Sequence, residues 1–246
     1  MSAGVLFDAI FRRAAAFTVR HTTGAEHRFD PAAWSQDHLP GDEALLARCD
    51  GPTLDVGCGP GRLAGSLARR GCPALGIDIS DVAVRLARRR GATALRRDVF
   101  GPLPGAGRWQ HVLLADGNIG IGGDPARLLR RCRRLLAPHG RLHVEAAAPG
   151  TAGWSGPAVL TPVSGPEGWS AVVAPASAPE VRSAMVAPAA GPTGRPGVAV
   201  VAGGRAELRW ACVPVDELPA LAAATAMRVL ETWVEEGRWF ATLSER

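Results

Sequence analysis

The sequence contains no lysine and no tyrosine, and all 28 of its basic residues are arginine. Although the pI is 9.6, we interpret this bias as the signature of a GC-rich genome. The arginine runs at 88–90 and 130–134 fall on predicted helices, where a solvated face is the usual explanation. They also lack the interleaved aromatic residues that stack on bases. We therefore expect no nucleic-acid partner.

Long apolar runs are also missing, since none approaches the roughly 18 residues that suggest a membrane span. The apolar N-terminal segment Val5–Phe17 carries Asp8, Arg12 and Arg13, which argues for an amphipathic helix rather than a signal peptide. The five cysteines are odd in number and include no CxxC pair, which disfavours zinc and a disulfide framework. The expectations are a cytoplasmic protein with no metal and no membrane partner.

The most informative stretch is 53–70. Residues 53–56 form a short apolar run that predicts a buried strand, and apolar residues recur at helical spacing from Leu63 onward. Between them lies a glycine turn, residues 57–61, with glycine at every second position. Glycine lets the backbone approach a ligand closely, and the first turn of a helix offers N–H groups to it. This arrangement predicts a binding site for an anion or a closely packed cofactor.

The same stretch resembles motif I of class I S-adenosylmethionine-dependent methyltransferases, in which an acidic residue is followed by x-G-x-G-x-G. Asp55 is the acid here. The dinucleotide fingerprint G-x-G-x-x-G fits less well, because its third glycine would fall on Arg62. The resemblance implies S-adenosyl-L-methionine as cofactor. The residues it implicates in binding here are Asp55, Gly57, Cys58, Gly59 and Gly61, with Cys58 as a small filler.

A second acid, Asp78, ends the predicted strand 74–79 and follows Asp55 by 23 residues. This is near the spacing at which a carboxylate reaches ribose hydroxyls in nucleotide-binding α/β units. The alternative is that Asp78 only caps the next helix, but Ser80 already fills that position. We therefore predict that Asp78 binds the ribose and that Ile79 lies beside it in the cofactor site.

A third and a fourth strand tip also carry acids. Asp98 lies at the end of the predicted strand 93–99, and the resemblance implies that it meets the adenine amino group while the N–H of Val99 meets a ring nitrogen. Asp116 ends the strand 111–116 and runs into a glycine-rich loop that contains the only asparagine of the chain, Asn118. Ligands in open α/β sheets bind beyond such strand ends. This loop is predicted to face the methionine end of the cofactor and the methyl acceptor, with Asp116 among the cofactor-binding residues.

No general base is evident. Asp116, Asn118 and His21 are weak catalytic candidates, and Glu145, near the end of a fifth strand, is as compatible with a structural role. His27 and His38 share the leader with His21, and for any one of the three a surface or capping role is the more common one. The N-P-P-Y signature of methyltransferases that act on amino groups of DNA bases is absent, which further disfavours nucleobase methylation.

The alternation of strands and helices predicts an α/β fold, a Rossmann-like, doubly wound and mostly parallel sheet. Two alternating segments, 228–234 and 238–243, predict a C-terminal antiparallel hairpin, and the resemblance implies seven strands. We expect a helical leader at 1–50, a methyltransferase domain at 51–148 and 205–246, and a β-rich insertion at 149–204 that caps the substrate. Strands in this insertion are favoured by Trp154, Trp169 and residues 171–173. Residues 191–197 are predicted to form its tip.

The predicted function is methyl transfer to a small-molecule acceptor, whose reacting atom (O, N, S or C) the sequence leaves open. An NAD(P)-type Rossmann oxidoreductase and a non-catalytic cofactor-binding protein are the alternatives. The sequence also leaves the oligomeric state undetermined.

Overall fold

The computed structural model describes residues 3–13, 16–162, 200–201 and 205–246. Its α-helices are α1 (Ala3–Arg13), α2 (Pro31–Trp34), α3 (Asp42–Leu46), α4 (Arg62–Arg69), α5 (Asp81–Arg89), α6 (Pro125–Leu135) and α7 (Leu218–Ala223), with 3-10 turns at Asn118–Gly123 and Val215–Glu217. Its strands are β1 (Phe17–His21), β2 (Glu26–Phe29), β3 (Thr53–Val56), β4 (Ala74–Asp78), β5 (Ala94–Arg96), β6 (Trp109–Leu114), β7 (Leu136–Ala146), β8 (Trp154–Pro162), β9 (Val200–Val201), β10 (Arg205–Cys212), β11 (Met227–Glu235) and β12 (Arg238–Glu245).

Seven strands form the larger sheet, in the order β5-β4-β3-β6-β7-β12-β11. The first five run parallel, while β12 pairs antiparallel with β7 and β11 with β12. Strand order reverses beside β3, so the carboxyl ends of β3, β4 and β6 meet at one edge. The predicted Rossmann-like sheet and its C-terminal hairpin are confirmed.

Five antiparallel strands form a second sheet, in the order β2-β1-β8-β10-β9. Three details of the sequence prediction are wrong here. The N-terminal helix ends at Arg13, and Phe17 instead opens β1, opposite Pro162 of β8. Residues 17–29 of the leader, expected to be helical, form a hairpin.

The third correction concerns β10, which we had placed with the methyltransferase sheet. It pairs with β8 over its whole length, from Ala206 opposite Leu160 to Cys212 opposite Trp154. Alternating polarity predicts a strand but does not say which sheet edge accepts it. The predictions for Trp169, 171–173 and 191–197 lie outside the described residues.

Side-chain caps mark the starts of α5, where Ser80 was predicted as the cap, and of α6. Ser80 Oγ accepts from the N–H of Ala83 at 3.1 Å at the start of α5. Asp124 Oδ1 accepts from the N–H of Arg127 at 2.9 Å at the start of α6. Both side chains satisfy donors that a helix start leaves free. Of the described helices, none has the length and apolarity needed to cross a membrane.

Two histidines, one on β6 and one on β7, lie inside the larger sheet. His111 Nδ1 faces His143 Nε2 at 3.0 Å, and the outer nitrogens bond to Asp50 (2.8 Å) and to Thr242 Oγ1 (3.1 Å). Together with Cys49 they bring ligand atoms within 4.8 Å of one another. Because the ring nitrogens already bond to each other and to these neighbours, we assign the cluster to the core.

Burial makes His143 sensitive to acid. The ring is 2% exposed, and burial, with a smaller effect of His111, lowers its pKa to about 3. An unfolded histidine binds a proton near pH 6.5. Between these values the unfolded chain holds more protons, so the free energy of unfolding must fall as the pH falls.

We predict that, below pH 6.5, His143 lowers the free energy of unfolding by up to about 1.4 kcal/mol for each pH unit. The measurement is urea unfolding of the wild type and of His143→Gln from pH 7.5 to 4.5. The difference in free energy of unfolding between the wild type and His143→Gln should become smaller as the pH falls. His139→Asn, at an exposed histidine, is the control and should run parallel to the wild type. A His143→Gln curve that also runs parallel to the wild type would contradict the prediction.

Candidate functional site

A cavity of about 810 Å³ lies at the carboxyl ends of β3, β4, β5 and β6. Most of the residues singled out from the sequence line it. They are Asp55, Gly57, Cys58, Gly59, Asp78, Ile79, Asp98, Val99, Asp116 and Asn118. Acids that lie far apart in the sequence therefore share one space, although their individual binding roles remain predictions.

Asp78 joins the tip of β4 to the glycine turn. Its Oδ2 accepts from the N–H of Gly59 at 3.0 Å and its Oδ1 from the N–H of Ser80 at 2.8 Å. The residue is 9% exposed, and burial raises its pKa to about 6 against the opposing effect of these hydrogen bonds. The carboxylate is thus fixed in orientation at the cavity wall.

Asp55 joins β3 to the helix that follows the turn. Its Oδ2 accepts from the N–H of Ala64 at 3.2 Å, which satisfies a donor in the first turn of α4. Burial, followed by the charge of Asp116, raises the pKa of Asp55 to about 7. The motif acid therefore organises the strand-to-helix connection as well as lining the cavity.

The three glycines of the turn have different roles. A Cβ on Gly57 would lie 2.7 Å from Asn118 Nδ2, which donates to the carbonyls of Val56 and Gly57 at 2.9 and 3.0 Å. A Cβ on Gly61 would lie 2.7 Å from the Cα of Ala87. Gly61 does not line the cavity and allows close packing of α4 on α5, while its part in cofactor binding stays a prediction.

Two arginines without a predicted role, Arg62 and Arg238, form a cluster of ion pairs at the edge of the site. Arg62 is 3% exposed and donates from Nη2 to Asp116 Oδ1 at 2.7 Å. Its other terminal nitrogen forms an ion pair with Asp42, which is 1% exposed. Arg62, which occupies the third glycine position of the dinucleotide fingerprint, thus links the leader to the tip of β6.

Arg238, on the C-terminal hairpin, completes this ionic cluster. It donates from Nε to Glu145 Oε1 at 2.9 Å and from Nη2 to Oε2 at 2.8 Å, and from Nη1 to Asp42 Oδ1 at 2.9 Å. Although burial opposes it, the hydrogen bonds and charges of Arg62 and Arg238 hold the pKa of Asp42 below its ordinary value. Glu145 also accepts from the N–H of Asp116 at 2.6 Å. Glu145 does not line the cavity, so its role is to hold the site.

The N-terminal helix lies across the cavity, and Asp8 fixes it there. Asp8 Oδ1 accepts from Ser80 Oγ at 2.6 Å and from the N–H of Val82 at 3.0 Å. The helix thereby places Phe7 and Phe11 in the cavity wall. In the sequence Asp8 served only as evidence against a signal peptide. No neighbouring residue indicates that it bonds to the start of α5.

The leader histidines do not reach the cavity. His21 stacks on Trp154 with ring centroids 5.0 Å apart and bonds to Thr23. His38 is exposed beside Asp42 at 3.9 Å, and His27 is an exposed neighbour of Phe29. His21 is therefore removed from the catalytic candidates, and Asp116 is bound by arginine. Asn118 and Asp116 remain at the cavity wall, and the exposed lining carboxylate, Asp98, accepts from the N–H of Phe100 at 2.9 Å.

Comparison with known proteins agrees with this architecture. Residues 53–140 match the family model described as a methyltransferase domain. A SAM-dependent methyltransferase from Bacteroides fragilis, crystallised with S-adenosyl-L-homocysteine, superposes with a TM-score of 0.65 at 18% identity, over 98% of this chain and 93% of that one. The match at residues 53–140 and the shared fold confirm the resemblance to class I S-adenosylmethionine-dependent methyltransferases.

Two curated relatives match part of the chain. An uncharacterised 37.1 kDa protein in transposon TN4556 of Streptomyces fradiae is 38% identical over 114 residues, covering 41% of this chain and 31% of that protein. A ubiquinone biosynthesis O-methyltransferase of Acinetobacter baylyi is 29% identical over 126 residues, covering 47% and 50%. The chain thus spans about a third to a half of the length of these relatives.

The ionic cluster yields a stability prediction. Arg238→Met should reduce the free energy of unfolding by about 3–5 kcal/mol, because it leaves Glu145 without an arginine and leaves Asp42 and Asp116 with Arg62 alone. Arg228→Met, on the exposed side of the same hairpin, is the matched control and should change stability by no more than about 0.5 kcal/mol. Urea unfolding measures both. Equal losses for the two variants would contradict the stabilising role of Arg238.

Proposed function

We propose that this protein transfers a methyl group from S-adenosylmethionine to a small-molecule acceptor. One observation carries the proposal: carboxylates from successive strand tips, Asp55, Asp78 and Asp98, line a single cavity with the glycine turn. This is the set that the family resemblance assigns to an adenosyl group. The match to a methyltransferase domain supports it.

The residues present fit such a cofactor. Asp78 is oriented by two N–H groups, and an ionised carboxylate held in this way accepts readily from the paired hydroxyls of a ribose. Gly57 and Gly59 line the same cavity with positive φ angles of 71° and 53°, so the backbone of the turn can approach a cofactor closely.

The cofactor supplies an activated methyl group when bound, so the main task of the chain is alignment. Holding two reactants in line can supply roughly 7–11 kcal/mol. The strand tips and the glycine turn would fix the cofactor, while α1, Asn118 and the loop after β6 would bound the acceptor. Asp116 would act by holding this loop in place through Arg62 rather than by removing a proton.

We also propose how the chain is divided and where it works. Residues 51–148 and the C-terminal hairpin would form the cofactor half. The leader, β8 and β10 would form the acceptor half, in which the expected 149–204 insertion takes part.

A cytoplasmic location is supported by five unpaired cysteine thiols, the state that a reducing compartment maintains. The arginine-rich helices, without interleaved aromatic residues, support a small molecule rather than nucleic acid as partner.

Cofactor choice separates this proposal from an NAD(P)-type oxidoreductase. S-Adenosylhomocysteine at 100 times its dissociation constant should stabilise the protein by about 2.7 kcal/mol, whereas NAD should not. Thermal unfolding with each ligand measures this. Stabilisation by NAD alone would overturn the proposal, and cofactor binding without methyl transfer to any acceptor in a panel would point to a non-catalytic binding protein.

Asp78 gives the binding reaction a specific pH dependence. Its raised pKa of about 6 means that the ionised form, which accepts hydrogen bonds from ribose, is lost as the pH falls through that value. S-Adenosylhomocysteine affinity, measured by calorimetry, should therefore weaken below pH 6, by up to about tenfold per pH unit. Asp78→Asn keeps the shape but does not titrate, so it should bind weakly and show a flatter profile. An unchanged affinity in that variant would remove Asp78 from the site.

A further inference from the structure

The wall of the cavity that faces the strand tips is aromatic. Five of the six phenylalanines of the chain and two tryptophans line the cavity: Phe7, Phe11, Phe17, Phe29, Phe100, Trp34 and Trp210. All but Phe100 come from the leader and the second sheet. Because the chain has no tyrosine, this wall carries no phenolic hydroxyl.

These rings hold one another in fixed positions around Trp34. Its centroid lies 5.9 Å from Phe11, 6.1 Å from Phe17 and 5.8 Å from Phe29, and Phe29 meets Trp210 edge-on at 5.7 Å. Such distances and tilts are the favourable ones for aromatic pairs. Phe17, Phe29 and Trp210 are buried, whereas Phe11 and Trp34 are only partly buried and present ring surface to the cavity.

The aromatic wall bounds the end of the cavity near Asn118. A Cβ built on Gly59 would lie 3.6 Å from Phe11, and one built on Gly117 would lie 3.6 Å from Phe29. The wall therefore closes against the glycine turn on one side and against the loop after β6 on the other. This is the end that the proposed function gives to the acceptor.

The ionisable groups at this end are already engaged. Asp116 is bound by Arg62, and Asp55 and Asp78 are held by backbone N–H groups. Within the described ranges no histidine lines the cavity. A hydroxyl acceptor, which gains about 10²–10⁴-fold from a general base, would find none free here.

The charges also disfavour an anionic nucleophile. Arg62 is the only buried arginine among the described lining residues, and its terminal nitrogens are taken by Asp42 and Asp116. The other lining arginines, Arg96, Arg97 and Arg209, are exposed to solvent, which screens them. A thiolate or phenolate deep in the cavity would face carboxylates without a free cation. A neutral nucleophile that becomes cationic on reaction suits these carboxylates better.

We propose, building on the function above, that the acceptor is a planar aromatic or heteroaromatic amine that stacks against Trp34 and Phe11 and reacts through its neutral nitrogen. The nitrogen lone pair forms the new carbon–nitrogen bond, and the carbon–sulfur bond breaks with its electron pair moving to sulfur. The proton on the alkylated nitrogen then passes to water. No protein base takes part before the transition state.

The test measures binding of 6-aminoquinoline by calorimetry in the presence of S-adenosylhomocysteine. The wild type should bind it at least tenfold more tightly than cyclohexylamine, which has no ring face to stack. Trp34→Ala should weaken 6-aminoquinoline binding by about tenfold, and Trp34→Phe should restore most of it. Trp109→Phe, at a tryptophan outside the cavity, is the control and should bind as the wild type does. Binding of S-adenosylhomocysteine should stay within about twofold in all variants.

A second measurement addresses the chemistry. Mass spectrometry should detect methylation of 6-aminoquinoline, and 2-naphthol, which is equally flat but needs deprotonation, should react at least tenfold more slowly. Equal affinity for cyclohexylamine, an unchanged Trp34→Ala variant, or faster reaction of 2-naphthol would each overturn the inference while leaving the proposed function intact. Failure to bind S-adenosylhomocysteine at all would instead overturn the proposed function.

Discussion

The contact between two arginines and three carboxylates, of which Asp42 is buried and Asp116 and Glu145 are partly buried, determines how the rest of the structure is joined. Arg62 follows the glycine turn and Arg238 opens the last strand, and between them they bind Asp42, Asp116 and Glu145. These five residues belong to the leader, the first helix of the sheet, two strand ends and the hairpin. Removing one partner from such a cluster leaves a charge without compensation, which costs far more than forming the pair gains. The cluster therefore fixes the relative position of these segments.

This arrangement explains why the site has several acids and no free base. Each carboxylate at a strand tip has a structural partner: Asp55 binds the first turn of α4, Asp78 binds the glycine turn, and Asp116 binds Arg62. A carboxylate held in this way orients hydrogen bonds well but is poorly placed to take a proton. The geometry thus favours positioning over acid–base chemistry, which is sufficient when the methyl donor is already activated.

The sequence predicted the parts of the site that depend on neighbouring residues. Strand, glycine turn and capped helix are local patterns, and parallel strands bring their tips to one edge, so the grouping of residues 55, 78 and 98 followed from topology. The ionic cluster could not be predicted in this way, because Arg62 and Asp42 lie 20 residues apart and Arg238 and Asp42 lie 196 apart. Gly61 is another residue whose contacts could not be predicted from the sequence. Its place in the pattern matches that of Gly59, and only the approach of α5 reveals that it packs against that helix.

The second sheet extends this point from single residues to the acceptor end of the cavity. Its strands come from before and after the nucleotide-binding half, and they bring together rings that are remote in the sequence, since Phe29 of β2 meets Trp210 of β10. The pairing of β1 with β8 joins the leader to the segment after β7. The proposed cofactor half depends on backbone geometry and a few carboxylates, whereas the proposed acceptor half depends on the shape of an apolar surface. The two halves can therefore change independently, since altering a ring reshapes the acceptor space without touching the carboxylates that line the opposite wall.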